Sequence, residues 1–86
     1  MVESHLVILF YKFTPVADPS LLRDQLRERC EQLRIKGRVI IAEEGLNGTL
    51  GGQESHVRQL VSFLHSDPRF ADMEIKESLG SNETFP

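Results

Sequence analysis

The side chains best suited to chemistry lie in one glycine-rich stretch, residues 42–52, which reads Ala-Glu-Glu-Gly-Leu-Asn-Gly-Thr-Leu-Gly-Gly. Glu43 and Glu44 could accept protons or hydrogen bonds, and Asn47 could both donate and accept them. Adjacent residues of a strand point to opposite faces, so the two carboxylates do not make an acid–base pair. Asn47-Gly48 is also a strong hairpin signal, because both residues tolerate positive φ. The stretch is therefore predicted to form a turn, and a role as a polar contact loop is the second interpretation.

The histidines and the cysteine do not assemble a second site. His56 and His65 fall on one predicted helix but are nine residues apart, whereas a chelating pair on a helix needs a spacing of three or four. Cys30 lies on an apolar helical stripe without a nearby base, which favours an inert thiol. The sequence holds no phosphate-binding glycine motif of the Walker or dinucleotide type. We therefore predict no catalytic residue, no metal site and no cofactor.

Composition indicates one small cytoplasmic domain, residues 1–86. Apolar residues make up 40% and charged residues 27% of the chain, which is ordinary for a globular protein. The formal net charge of −3 creates no global attraction for nucleic acid. A single cysteine excludes an internal disulfide and fits a reducing compartment. No apolar run is long enough to span a membrane, and no signal peptide is recognisable.

Hydrophobic patterning predicts the elements that must position these residues. Residues 6–13 are apolar on both faces, which is typical of a central strand. Asp18 is expected to cap a helix that begins with Pro19, and Gly37 is expected to end that segment. Strands follow at residues 38–43, 47–51 and 73–77, with a helix of buried face Val57, Leu60, Val61 and Leu64 before the last of them.

The resulting order is strand, helix, strand, strand, helix, strand. This predicts an α+β, ferredoxin-like βαββαβ fold, with an antiparallel sheet and both helices on one face. The opposite face would then carry apolar side chains of the first strand, which marks a contact surface. The exposed set would be either Leu6, Ile8 and Phe10 or Val7, Leu9 and Tyr11.

Several motifs spread between Leu6 and Pro86 occur together in one family. They are Tyr11-Lys12-Phe13, Gly37-Arg38, the run from Ala42 to Thr49, Asp67-Pro68-Arg69-Phe70 and Lys76-Glu77-Ser78. In this combination the chain resembles the N-terminal domain of a rhodanese-like family. Characterised bacterial members of that family hydroxylate the wobble uridine of tRNA at C5 in an oxygen-dependent reaction. The resemblance implies an acylphosphatase-like, ferredoxin-like domain. In the parent chain this domain would be followed by a basic strand and then by a rhodanese domain.

The resemblance also implies what these residues do not carry. The reactive cysteine belongs to the rhodanese domain, and the chain stops at Pro86 before that domain would begin. Acylphosphatases use an arginine in a glycine-bearing loop after the first strand, whereas residues 14–17 read Thr-Pro-Val-Ala. Likeness of fold does not transfer function. We expect neither sulfurtransferase nor acylphosphatase activity from this segment.

The sequence prediction is an accessory domain of a tRNA uridine hydroxylase, which helps to position tRNA and packs on the catalytic rhodanese module. Basic side chains would contact phosphates, and polar ones would contact either tRNA or the neighbouring domain. The alternative is a purely structural domain that docks on the rhodanese module without touching RNA. The candidate binding residues are Lys12, Arg38, Glu44, Asn47 and Lys76.

Overall fold

The computed structural model describes residues 4–80, which form four strands and two helices. The strands make one antiparallel sheet in the order β2-β3-β1-β4. Both helices contribute buried side chains to one core, and the predicted ferredoxin-like βαββαβ fold is confirmed. The elements are β1 His5–Phe13, α1 Pro19–Gln32, β2 Lys36–Ala42, β3 Gly45–Gln53, α2 Glu54–His65 and β4 Ile75–Gly80.

Strand β1 is central, as predicted, because it pairs with β3 on one side and β4 on the other. Its side chains alternate between two environments. Leu6, Ile8 and Phe10 are at most 2% exposed, and they pack against the helices in the core. Leu9 and Tyr11 point the other way and are exposed. The second of the two alternatives for the outward face is therefore the correct one.

The end of helix α1 differs from the prediction. The helix ends at Gln32, and Arg34 takes a left-handed φ of 54°. The backbone N–H of Ile35 donates to the carbonyl of Cys30 at 2.8 Å, and that of Arg34 donates to Glu31 at 3.2 Å. This is the Schellman pattern, in which the left-handed residue is usually glycine. The prediction that Gly37 ends the segment is wrong, since Gly37 lies inside β2.

The hairpin between β2 and β3 turns at Glu43 and Glu44. The prediction that Asn47-Gly48 forms the turn is wrong, whereas the predicted strands at 38–43 and 47–51 place the turn within two residues of its observed position. Side chains alternate along a strand, and a turn at Asn47 would carry Glu43 to the core side and Leu46 to the other side. The observed turn keeps both glutamates exposed and buries Leu46 to 4%. The hydrophobic pattern of the whole hairpin therefore outweighs the local turn signal.

Glycines serve β3 by making room rather than by turning the chain. A Cβ on Gly48 would lie 2.6 Å from Cζ of Phe10, so the missing side chain admits the aromatic ring. Gly45 has φ +148°, and a Cβ there would lie 2.0 Å from the carbonyl oxygen of Lys12. Strand β3 continues to Gln53, so the prediction that this strand ends at Gly51 is also wrong.

The Asp-Pro-Arg-Phe motif forms a clasp in the loop after α2. Arg69 Nη2 lies 2.8 Å from Asp67 Oδ2, and Arg69 Nη1 lies 3.1 Å from Asp18 Oδ1 at the start of α1. Hydrogen bonding from Arg69 lowers the pKa of Asp67. Asp18 occupies the predicted N-cap position of α1, but its side chain makes no capping hydrogen bond. Phe70, next to Arg69 in sequence, is fully buried. The motif therefore anchors the loop after α2 to the start of α1.

Candidate functional site

The sheet surface that faces away from the helices is termed the open face. Strand register places its side chains in rows that run across the sheet. Arg38 on β2 pairs with Thr49, Thr49 with Leu9, and Leu9 with Lys76 on β4. The neighbouring row runs from Ile40 through Asn47 to Tyr11, and the row nearest the turn holds Ala42, Gly45 and Phe13.

Large apolar side chains lie at the centre of the open face. Tyr11 is 65% and Phe13 82% exposed, and their rings meet edge to face with centroids 6.1 Å apart. Leu9 and Ile40 beside them are 50% and 63% exposed. An apolar patch of this kind on a folded domain marks a site of interaction. The patch is built from β1 and β2, which lie on either side of β3, so its position is fixed by the sheet.

Cations flank this apolar centre on the two outer strands. Arg38 and Lys76 stand in the same row on β2 and β4. Within residues 4–80 no carboxylate forms an ion pair with either of them. Arg58, by contrast, bonds Glu54 and Glu77 on the helix side. The cations of the open face are therefore available to an external anion.

Asn47 and Glu44 border a shallow hollow at the turn end of the open face. The hollow measures about 470 Å³ and has Tyr11, Phe13 and Ile40 among its walls. Asn47 is exposed and stands directly opposite Tyr11 in the β1–β3 register. A carboxamide can donate and accept, whereas an ionised carboxylate only accepts. The hollow therefore joins apolar walls to two polar groups of different hydrogen-bonding type.

The turn that carries Glu44 is held by the segment after β1. The N–H of Thr14 donates to the carbonyl of Glu44 at 3.0 Å, and that of Val16 donates to Glu43 at 2.9 Å. These bonds fix the turn against the segment that follows β1 and occupy the backbone amides of Thr14 and Val16. Val16 is also buried to 1% exposure. This segment therefore works as a support for the hairpin.

Of the five predicted binding residues, the structure brings four to one region. Arg38, Asn47 and Lys76 lie on the open face, and Glu44 lies at its turn end. Lys12 points to the helix side of β1, where its Nζ lies 2.7 Å from Asp72 Oδ1. This contact lowers the pKa of Asp72.

Tyr11 was predicted as part of one possible outward-facing contact surface but not as a binding residue, and Phe13 was missed. Their alternation with the buried Ile8 and Phe10 along β1 was the signal that could have identified them.

The remaining reactive groups do not add to this region. Cys30 is partly buried on α1, and burial raises the pKa of its thiol. The part of the chain that the structure describes holds no cluster of three or more histidine, cysteine or acidic residues placed to bind a metal. No helix in residues 4–80 is long and apolar enough to cross a membrane.

Comparison with known proteins gives one consistent match. A family model described as "UPF0176 acylphosphatase like domain" matches residues 5–86. A protein of Onion yellows phytoplasma named "tRNA uridine(34) hydroxylase" is 40% identical over 84 residues, which is 98% of this chain and 27% of that protein. A protein of the same name from Corynebacterium diphtheriae is 42% identical over 80 residues, 93% of this chain and 26% of its own length. A third, from Cytophaga hutchinsonii, is 40% identical over 83 residues, 96% of this chain and 27% of its own.

Proposed function

The chain belongs to the UPF0176 acylphosphatase-like domain family, and from this premise we propose that it is the N-terminal accessory domain of a tRNA-modifying enzyme. The parent would be a cytoplasmic tRNA uridine hydroxylase that adds oxygen to C5 of the wobble uridine. Its catalytic module would be a rhodanese domain. In support, the chain spans about a quarter of the curated relatives it matches, 26–27% of their length, and those relatives carry the hydroxylase name. The role of this domain is to help place tRNA and to pack on that module.

The unpaired cations of the open face carry this proposal. Arg38 and Lys76 project from outer strands of one sheet surface and have no carboxylate partner among the described residues. Three strand spacings separate their strands, about 14 Å. Phosphate contacts position a nucleic acid without reading its sequence. Two cations at this spacing fit the task of orienting an RNA strand, despite the net charge of −3.

The test is tRNA binding by the full-length parent with both cations removed. We expect the double variant Arg38→Ala/Lys76→Ala to bind more weakly than wild type to every tRNA tested, whatever the tRNA's sequence. The salt dependence of log K should also become shallower, by about one unit per lost phosphate contact. Affinity is measured by filter binding at several salt concentrations.

A matched control removes charge from the other side of the molecule. Arg23 and Arg27 are exposed on α1, so Arg23→Ala/Arg27→Ala makes the same change in net charge away from the open face. This control should leave both affinity and salt slope near the wild-type values. Equal behaviour of the two double variants would contradict the proposed role of Arg38 and Lys76.

A structural role is the second candidate, and the apolar centre of the open face favours it. Tyr11, Phe13 and Ile40 would then be covered by the rhodanese module and would not meet RNA. Adding the separate module to the isotopically labelled domain distinguishes the two roles. Chemical shift changes concentrated on β1, together with tRNA affinity unaffected by Arg38→Ala, would favour docking.

A further inference from the structure

Resting on the proposed function, we propose that the open face binds unpaired RNA nucleotides, with one base stacked on Tyr11 and its edge directed to Asn47 and Glu44. The adjoining phosphates lie on Arg38 and Lys76. The proposed ligand is thus single-stranded RNA, such as a loop, and not an RNA duplex.

The exposed aromatic surface decides between paired and unpaired RNA. A duplex presents phosphates and riboses outward and keeps the faces of its bases stacked inside. It has no surface that matches the rings of Tyr11 and Phe13, which are 65% and 82% exposed. Unpaired bases stack on aromatic side chains of a four-stranded sheet in a common mode of RNA recognition. The apolar centre of the open face therefore fits nucleobases.

The distribution of charge along the open face gives the orientation of the strand. Arg38 and Lys76 share one row, and Tyr11 stands in the next row towards the turn. The turn end carries the exposed carboxylates of Glu43 and Glu44. Like charges repel, so phosphates are kept from the turn end and held at the cationic row. A base attached to such a phosphate then reaches over Tyr11.

The hollow beside Tyr11 supplies the groups that could contact the edge of that base. Asn47 is opposite Tyr11 in register, and residues so paired across strands have Cβ atoms about 4.5–5.5 Å apart. Glu44 also lines the hollow. Asn47 accepts or donates, whereas the Glu44 carboxylate only accepts. The hollow therefore suits a base edge that presents an N–H donor.

Structural needs do not account for these polar residues. In the run from Glu44 to Thr49, packing explains Gly45, Leu46 and Gly48, since each is buried against β1 or the core. Glu44 and Asn47 are exposed, and the structure shows no side-chain hydrogen bond from either within residues 4–80. Their side chains are free to contact a ligand.

Tyr11 provides its own probe, because the chain contains one tyrosine and no tryptophan. Intrinsic fluorescence of the 86-residue chain therefore reports Tyr11 alone. We expect a single-stranded oligouridine of about ten nucleotides to quench this emission at saturating concentration. A blunt RNA duplex of equal phosphate number should quench little.

Variants then test the stack directly, with labelled RNA and fluorescence anisotropy. Tyr11→Ala should weaken binding of the single strand by about 5- to 150-fold, the range for one base stack. Tyr11→Phe should retain most of the affinity. The control Leu21→Ala removes an exposed apolar side chain from α1, 54% exposed, and should change nothing. Circular dichroism verifies that each variant is folded.

The outcomes separate this inference from the proposed function. The proposed stacking is wrong if Tyr11→Ala binds the single strand as tightly as the wild type does. It is also wrong if the wild type binds the duplex as tightly as the single strand. If Arg38→Ala/Lys76→Ala still weakens tRNA binding in that case, the proposed function stands and only the base stack is wrong. If no RNA binds and the rhodanese module covers the open face, both are wrong.

Discussion

The two glycines that face the core from β3, Gly48 and Gly52, should respond differently to substitution by alanine. A Cβ on Gly48 would lie 2.6 Å from Cζ of Phe10 and 3.1 Å from the carbonyl oxygen of Arg38. Phe10 is 1% exposed, so its ring has nowhere to move. Overpacking of this kind costs about 1–3 kcal/mol. Gly48→Ala should therefore lower the Tm by roughly 5–20 °C, at about 4–8 °C per kcal/mol for a domain of this size.

Gly52 offers the matched case in the same strand. Its Cβ would meet Cγ1 of Ile35 at 3.3 Å, so a shift of a few tenths of an ångström is enough to admit it, much less than the 2.6 Å contact at Gly48 demands. Alanine is favoured over glycine inside a strand by about 0.5–1 kcal/mol, because glycine loses more backbone freedom on folding. Gly52→Ala should leave the free energy of unfolding unchanged or raise it by up to about 0.5 kcal/mol.

Urea unfolding followed by far-UV circular dichroism measures both variants, with the m-value as a check that the unfolding transition is comparable. A double-mutant cycle with Phe10→Leu then identifies the clash. Shortening the ring should relieve part of the cost of Gly48→Ala, with a coupling of about 0.5–3 kcal/mol. Equal stability of Gly48→Ala and Gly52→Ala, or zero coupling to Phe10, would refute the view that Gly48 makes room for the ring.

Two further predictions concern the end of α1 and the clasp after α2. Arg34→Gly should stabilise the domain by about 0.5–1 kcal/mol, because Arg34 holds a left-handed φ of 54° that glycine adopts without strain; a lower Tm would contradict this. Arg69 keeps the pKa of Asp67 below its usual range in the folded state. The ionised Asp67–Arg69 pair therefore stabilises the fold fully above the unfolded pKa of about 3.9, and this stabilisation is lost as pH falls through the folded pKa. Asp67→Asn should therefore be less stable than wild type by about 1 kcal/mol at neutral pH, and the difference should shrink as pH falls through the folded pKa of Asp67. A constant difference in denaturation scans from neutral to acid pH would count against the ion pair.

The fold could be predicted because each element has its own local period. The helical spacing of Leu22 and Leu26, and of Val57, Leu60 and Leu64, needs only a short window of sequence. Apolar residues at consecutive positions predicted that β1 is a central strand. Its pairing with β3 on one side and β4 on the other confirms this prediction.

The two strands of the hairpin could be predicted, but the Asn47-Gly48 signal did not identify its turn. Asn47-Gly48 has turn-forming residues, but in β3 the glycine makes room for Phe10 and the asparagine faces outward. The actual turn at Glu43 and Glu44 depends on burying Leu46 and exposing both carboxylates, which involves the whole hairpin. Side-chain packing against another strand is invisible in a single short window.

The candidate site was predicted in its residue types and only partly in its arrangement. Arg38 and Lys76 fall in one row across the sheet only through the strand order β2-β3-β1-β4. Lys12 shares a strand with Tyr11 but lies on the opposite face, where Asp72 binds it. One residue of offset on a strand thus separates a surface cation from a structural ion pair.

The alternation of β1 has a consequence for how this domain can be altered. Leu6, Ile8 and Phe10 hold the fold together, whereas Leu9 and Tyr11 between them make little contribution to the core. Substitutions at the outward positions change the open face while the buried core stays intact. The domain can therefore serve as a scaffold on which new recognition surfaces are selected, with stability and specificity adjusted independently on the two sides of a single strand.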